Sequence, residues 1–335
     1  MRPVRYRWLA WGAAAVGGAA ILAAGWLFLL LALPVGKGPQ QGVIIGKDAS
    51  LRYVAHSLKQ KGLIRSEIAF RLAAHRRWKQ VRQGEYLLSP SMNALDIMGR
   101  LAGGHVYAHW VTVPEGFTIS QIADLLAERG IASRDEFLAA ATAGRMLASD
   151  FPLRAGSLEG YLFPDTYRLL PGPEASQILV AHMVARFDEV VWKGLLQGRP
   201  PQGGLTLHEL VILASLVEGE AKKEQERGLI AGVLMNRLSR GMKLQCDATV
   251  QYALGQRKPR LMNADLQVVS PYNTYLHEGL PPGPINNPGL ASIRAAMHPQ
   301  QTDFLYYVAR PDGGHIFSRT LDQHNASIMR VRRGK

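Results

Sequence analysis

The sequence predicts an α+β fold set behind one N-terminal membrane-spanning helix. Three observations carry this. Residues 8–33 hold no charged side chain. Cap–helix–glycine units then alternate with short β-type runs. The last third opens on a well-signalled helix and closes on a hairpin pattern.

Trp8–Leu33, as a helix, extends roughly 39 Å, enough for a hydrocarbon core of about 30 Å. A cleaved signal peptide usually has an apolar core of only about 7–15 residues. Here the run passes Ala23-Ala24-Gly25 and continues through Trp26 to Leu31, which favours a retained anchor. Arg2, Arg5 and Arg7 precede it. The positive-inside rule then makes residues 1–7 a cytoplasmic tail and puts everything after Pro34 outside the cytoplasm.

Hydrophobic content is 47% and charged content 19%, values of a globular chain and not a disordered one. Cys246 is the single cysteine, so the exported part has no internal disulfide. The leading arginines carry 3 of the net charge of +13, leaving +10 outside. Such a surface suits an acidic cell-wall polymer or an anionic membrane, and the topology excludes nucleic acid as a partner.

Residues 34–45 read as a linker, with GKGPQQG at Gly36–Gly42, running into the β-type Val43-Ile44-Ile45. Then a unit recurs. Ser50, Val54, Leu58 and Gly62 precede Leu63-Ile64; Thr118, Ile122, Leu126 and Gly130 precede Ile131, at an offset of 68. Asn93, Ile97, Leu101 and Gly103-Gly104 form a looser copy. Each starts on a cap-type residue, Thr118 with Gln121 making a capping box, and each ends near glycine. Short strands, such as Trp110–Val113, surround these helices. Residues 46–110 are in this respect similar to LysM-type glycan-binding modules. On spacing alone, any small α+β domain with repeated cap–helix–glycine units fits equally well. Residues 111–203 form a connecting α+β region with the second repeat-like unit, a helical stretch at Glu136–Met146, and a proline-glycine break at Arg199–Gly204.

Residues 204–335 carry the chemistry. Thr206–Ala221 reads TLHELVILASLVEGEA, with a capping box from Thr206 and Glu209. Leu210, Ala214, Val217 and Ala221 share a face. At about 100° per residue, Glu218 lies about 60° from its centre and Glu220 about 100° away on the other side, nearer solvent. A carboxyl in an apolar setting holds its proton more tightly, which suits a general acid; a solvated helix face is the plain alternative for any helical Glu. A second helix, Glu224–Ser239, closes at Gly241 and puts Asn236 where an apolar residue is expected. That Asn is either internally satisfied or lines a polar cleft. Gln245, Asp247 and Thr249 alternate, as on one side of an extended segment. Tyr272, Asn273 and Tyr275 precede a proline-stiffened loop, the residue types that cover sugar faces and bond acetamido groups. These residues are expected to line one groove with Glu218 and Glu220. Phe304–Ala309 and His315–Ser318 flank a hairpin turn. No nucleophile elbow, P-loop or zinc-protease motif is present, and the ten histidines show no metal-type spacing, so neither cofactor nor metal is expected.

The motifs EGYLFPDTY (Glu159–Tyr167), ASLVEGEA (Ala214–Ala221), VLMNRLSRGMKLQCDATVQYALG (Val233–Gly255), SPYNTY (Ser270–Tyr275), GLPPGPINNPG (Gly279–Gly289) and GGHIFSRTLDQHN (Gly313–Asn325) occur in this order. This set resembles the YceG-like endolytic murein transglycosylases over nearly the whole chain. The resemblance implies a single-pass inner-membrane protein with a LysM-like region and a larger catalytic domain in the periplasm. It implies cleavage of the β-1,4 bond between N-acetylmuramic acid and N-acetylglucosamine, with Glu218 as the catalytic acid, and peptidoglycan synthases as neighbours. Two departures from the family pattern stand out. Gly219 replaces a bulkier residue, with a loosened helix end as its expected effect, and Cys246-Asp247-Ala248 stands where Thr-Asp-Pro is common. A membrane-anchored scaffold that binds glycan without cutting it is the rival from another class.

Overall fold

The computed structural model describes all residues except 1–3, 47–48, 105–108, 143–150, 153–155, 173, 202, 257 and 335, and except the side chains of 4–10 and 12–15. The fold is α+β, in two compact units: Met1–His109 with Leu170–Pro173, and Trp110–Leu169 with Glu174–Lys335.

The first unit begins with α1 (Val4–Ala32). The expected long N-terminal helix is therefore present. Among the described residues, however, no helix is long and apolar enough to cross a membrane. Of the expected span, the side chains of Trp11 and of Val16 onward are described. The rest of the expected span, Trp8–Ala10 and Gly12–Ala15, lies outside the described side chains. The end of α1 is fixed by Arg65, which donates to Pro34 O through Nε (3.0 Å) and Nη2 (2.6 Å).

Strand β1 (Gln41–Ile45) pairs antiparallel with β2 (Gly84–Leu88), Gln41 opposite Leu88 and Ile45 opposite Gly84. It reaches back into the stretch expected as linker. Between the strands lie α2 (Leu51–Gln60) and α3 (Glu67–Ala74), and α4 (Ala94–Ala102) follows. Val43, Leu58, Phe70, Tyr86, Ile97 and Leu101 form the shared core.

The second unit runs β3 (His109–Thr112), α5 (Ile119–Glu128), α6 (Arg134–Thr142), β4 (Thr166–Leu169) and α7 (Ala175–Phe187), which continues as a wider turn over Asp188–Leu195. Strands β3 and β4 pair. The remainder of the helix expected at Glu136–Met146 falls on residues outside those described. Then come α8 (Leu207–Glu220), α9 (Arg227–Ser239), α10 (Asp247–Ala253), α11 (Leu290–Met297), the hairpin β5 (Tyr306–Ala309) with β6 (His315–Ser318), and α12 (Leu321–Arg333).

The repeated units share more than a pattern. Ser50 accepts from Tyr53 N–H, and Thr118 and Asn93 make full capping boxes. At the other end, Leu63 N–H donates to Leu58 O (2.9 Å) and Ile131 N–H to Leu126 O (3.0 Å). The glycine before each, Gly62 at φ 67° and Gly130 at φ 63°, adopts the left-handed conformation that this closure requires. The four side chains at the closures are buried, so each helix ends by pinning an apolar pair.

Helix α8 corrects one expectation. It does not carry a single apolar stripe: Leu207 and every residue from Leu210 to Val217 are buried. A helix that is apolar all round belongs inside a core, and α8 packs against α9, α10 and α11. Its first turn, with His208 and Glu209, and its last, with Glu218, Gly219 and Glu220, are the parts that reach the surface.

Candidate functional site

Glu218 sits in that last turn with its side chain 8% exposed. Its Oε1 accepts from Arg227 Nη1 at 3.3 Å and its Oε2 from the Gly289 N–H at 3.1 Å. Arg227, in the first turn of α9, also donates to Ser292 Oγ (3.0 Å) on α11. Glu115, on the loop between β3 and α5, covers Gly289: a Cβ built there would overlap the Glu115 carboxyl. Burial pushes the Glu115 carboxyl above its usual range, the Glu218 charge adds to this, Arg227 opposes it and Glu224 adds further. Gly116 (φ 75°) completes the ring, its would-be Cβ 3.3 Å from Glu218 Cγ. Glu115, Arg227 and Ser292 were not singled out from the sequence. The available signal was the loop ending at Gly289, whose prolines imply a preset backbone that something must be using.

Glu220 points to the other side of Gly219, and here the sequence reading is corrected. It was expected nearer solvent, yet its carboxyl is enclosed. It accepts from the Ala248 N–H at 3.3 Å. Burial first, and the Asp247 charge with it, push it up to about 7 against the opposing Ala248 N–H, Tyr307 hydroxyl and Arg237. The reason is that α10 and Tyr307 of β5 close over this side of the helix end, while Gly219 faces out. Gly219 itself is exposed, and α8 stays helical through Glu220, so the glycine does not loosen the helix end. A Cβ on Gly219 would meet Ala248 Cβ at 2.7 Å. The two departures from the family pattern, Gly219 and Ala248, thus touch each other.

The extended segment expected at Gln245–Thr249 is also corrected. Asp247 opens α10, so Asp247 and Thr249 do not alternate along a strand. Cys246 (φ −86°, ψ 122°) sits at the extended cap position, and the chain turns helical at the next residue. Gln245 takes the left-handed conformation (φ 52°) and its Oε1 accepts from Arg237 Nη1 at 3.4 Å. Asp247 accepts from Tyr275 OH at 2.6 Å.

Glu220, Asp247, Tyr275 and, through Arg237, Gln245 therefore gather on one side of Gly219. Tyr272 lies elsewhere, its ring 4.9 Å from that of Tyr252, whose hydroxyl bonds Glu159. Asn236 takes the internally satisfied option: its Nδ2 donates to Thr302 O (2.7 Å) and Phe304 O (3.0 Å). Asn273 and Thr249 are fully buried. Asn273 donates to Leu266 O and Val268 O, and Thr249 bonds Cys246 O and Thr274 Oγ1. Neither presents a free group to a sugar.

The loop carrying Gly289 is held from both sides. Ser215 Oγ accepts from Ile285 N–H (3.1 Å), and Asn286 Nδ2 donates to Ser215 O (2.9 Å). Asn287 Oδ1 accepts from Gly160 N–H and Leu162 N–H, while its Nδ2 donates to Phe117 O and Glu159 Oε1. Two of the sequence motifs, EGYLFPDTY and GLPPGPINNPG, thus meet at Asn287 to shape the wall around Glu218.

The model of the YceG-like family matches residues 43–330. A Bacillus subtilis protein named endolytic murein transglycosylase is 34% identical over 309 residues, covering 87% of this chain and 85% of the relative. A Streptococcus pneumoniae protein of the same name is 30% identical; 88% of this chain aligns, to 59% of that longer protein. A crystal structure of a yceG-like protein from Listeria monocytogenes superposes with a TM-score of 0.57 at 31% identity, covering 87% of this chain and all of that one. Matched over most of its length by the family model, this chain belongs to the YceG-like family.

Proposed function

We propose that this protein is an endolytic peptidoglycan lytic transglycosylase that cleaves the β-1,4 bond between N-acetylmuramic acid and N-acetylglucosamine. The observation that carries the assignment is the Glu218 carboxyl: largely enclosed and aimed by Gly289 N–H and Arg227, in the C-terminal turn of α8. Its relatives named endolytic murein transglycosylases support the substrate class.

In the proposed reaction, Glu218 protonates the glycosidic oxygen as the C1–O bond breaks. The resulting carboxylate takes the proton of the muramic acid C6 hydroxyl, whose oxygen bonds to C1 and closes a 1,6-anhydro ring. One group serves as acid and then base, and water is not consumed. In this reading Asp247 and Tyr275, beside Glu220, contact flanking sugars. Many weak contacts along a polymer position the scissile bond.

The first unit, with its two-stranded sheet around α2 and α3, serves as a LysM-like glycan-binding module in this reading. Helix α1 and the residues before it anchor the protein in the inner membrane, with residues 1–7 in the cytoplasm and the catalytic unit in the periplasm. Beside membrane-bound peptidoglycan synthases, the enzyme meets strands as they are extended and limits their length. The basic exported surface and the leading arginines support this placement.

Mass analysis of products from purified glycan strands tests the assignment. The wild type should release fragments ending in 1,6-anhydro-muramic acid, and Glu218→Gln should lose at least ~10²-fold in rate. Reducing-end products would refute the transglycosylase chemistry. A fully active Glu218→Gln would refute the acid, and an inactive wild type that still binds strands would make the protein a scaffold.

A further inference from the structure

The proposed reaction starts from a protonated Glu218, yet a cation beside a carboxyl favours the ionised form. Arg227 stands 3.3 Å from Glu218 Oε1, with the two side chains 16% and 8% exposed. Both are largely shielded from solvent, which leaves the attraction weakly screened. Taken alone, this ion pair works against the chemistry.

A counter-charge arrives from a distant part of the chain. The Glu115 carboxyl rests on Gly289, the same residue whose N–H bonds Glu218 Oε2. Its neighbour Gly116 rests on the Glu218 side chain, where no Cβ fits comfortably. The loop that carries them is tied down. Gly116 N–H donates to Asn287 O (2.8 Å), and Asn287 N–H donates to Phe117 O (3.0 Å). The charges that act on the Glu115 carboxyl include Glu218 from α8, Arg227 from α9, and Glu224 from the turn that precedes α9.

We infer that Glu115 is a positioning residue for the proton of Glu218: its negative charge offsets Arg227, so that Glu218 stays protonated at the pH where it must act as an acid. This rests on Glu218 being the acid. Glu115 itself is exposed at the lip of the site, so its influence is moderated by solvent and salt and grows when a bound strand excludes water. Burial favours the protonated form of Glu115, and the charge of Glu218 favours it further.

The test is the pH profile of strand cleavage by the full-length protein. Activity that needs a protonated acid is lost as pH rises. In Glu115→Gln the alkaline limb should move to lower pH by roughly half to one unit. Glu115→Asp, which keeps the charge, should leave the limb near its wild-type position, and Arg227→Gln should move it to higher pH. A purely structural Glu115 would lower the rate at every pH and leave the limb in place, which would overturn the inference. A second measurement needs no turnover. The carboxyl of Glu115 is followed by carbon-13 NMR titration in the wild type and in Glu218→Gln. Its midpoint should fall by a similar amount once the neighbouring charge is gone, and an unchanged midpoint would likewise overturn the coupling. An active Glu218→Gln would instead bring down the assignment of the acid, and the NMR result would stand apart from it.

Discussion

Gly289 gives its N–H to Glu218 at 3.1 Å, across 71 positions of sequence, while the space where its side chain would be is filled by the Glu115 carboxyl. One residue thus sets the orientation of the acid and the approach of its charged neighbour.

Gly289→Ala separates these effects from stability. The backbone of Gly289 (φ −76°, ψ 168°) is open to any residue, so alanine costs no strain. The atoms it would strike are the mobile tip of Glu115, which can swing away. The stability change should be within about 1 kcal/mol, since the lost chain entropy of the unfolded state offsets a weaker helix cap. Cleavage should nevertheless change, with its alkaline limb displaced in the direction expected for Glu115→Gln. Thermal melts and a pH profile check this. A large loss of stability would mean that Glu115 is held more rigidly than its geometry indicates.

Glu220 makes stability depend on pH. Its folded carboxyl is raised from 4.5 to about 7 by burial. The folded protein therefore keeps a proton that the unfolded chain releases near 4.5. The contribution to stability is fully present below that value and is lost as pH rises through about 7. Glu159, raised to about 8 for the same cause, adds a parallel loss reaching higher pH. Glu220→Gln should flatten part of the fall in melting temperature between about pH 5 and pH 8, and keep more cleavage activity than Glu218→Gln. A slope identical to the wild type would show that Glu220 is already hydrated when folded.

The helix starts were legible because they rest on local chemistry. Thr206 with Glu209 and Thr118 with Gln121 form the boxes that their spacing implies, and the hairpin at 306–318 pairs in register around its Asp-Gly-Gly turn. What failed is what tertiary structure decides. A phase argument assigns Glu220 to solvent only if that side of the helix end stays open, and here α10 and Tyr307 cover it. Alternation at Gln245, Asp247 and Thr249 matches a strand as well as it matches an extended cap followed by a helix. Asn236 was open between two readings because a buried amide looks the same in sequence whether it bonds the backbone of Thr302 and Phe304 or a ligand. The ring around Glu218 was out of reach for another reason. Glu115, Arg227 and Ser292 converge on it from separate helices and loops, and no local spacing encodes that meeting.

Asn287 joins the two halves of that ring, which makes it the most informative position for testing the architecture. It is fully buried. Its side chain makes four hydrogen bonds: it accepts from Gly160 N–H (2.9 Å) and Leu162 N–H (3.0 Å) and donates to Phe117 O (2.9 Å) and Glu159 Oε1 (2.9 Å). Glu159 in turn accepts from the Ile119 N–H at the start of α5. In Asn287→Ala, buried backbone groups and one carboxyl lose partners together. At about 1–3 kcal/mol for each group left unsatisfied, the loss should reach at least ~3 kcal/mol even where water relieves some of them. The Glu115–Phe117 loop should loosen at the same time, so residual folded protein should cleave strands poorly. Asn287→Asp keeps the acceptor for Gly160 and Leu162 but sets a second carboxyl against Glu159. It should therefore be milder than alanine at low pH, where both carboxyls hold protons, and should lose stability more steeply than the wild type as pH rises. Melting curves of the two variants across pH decide the matter. An alanine variant as stable as the wild type would mean that this network does not hold the loop over Glu218.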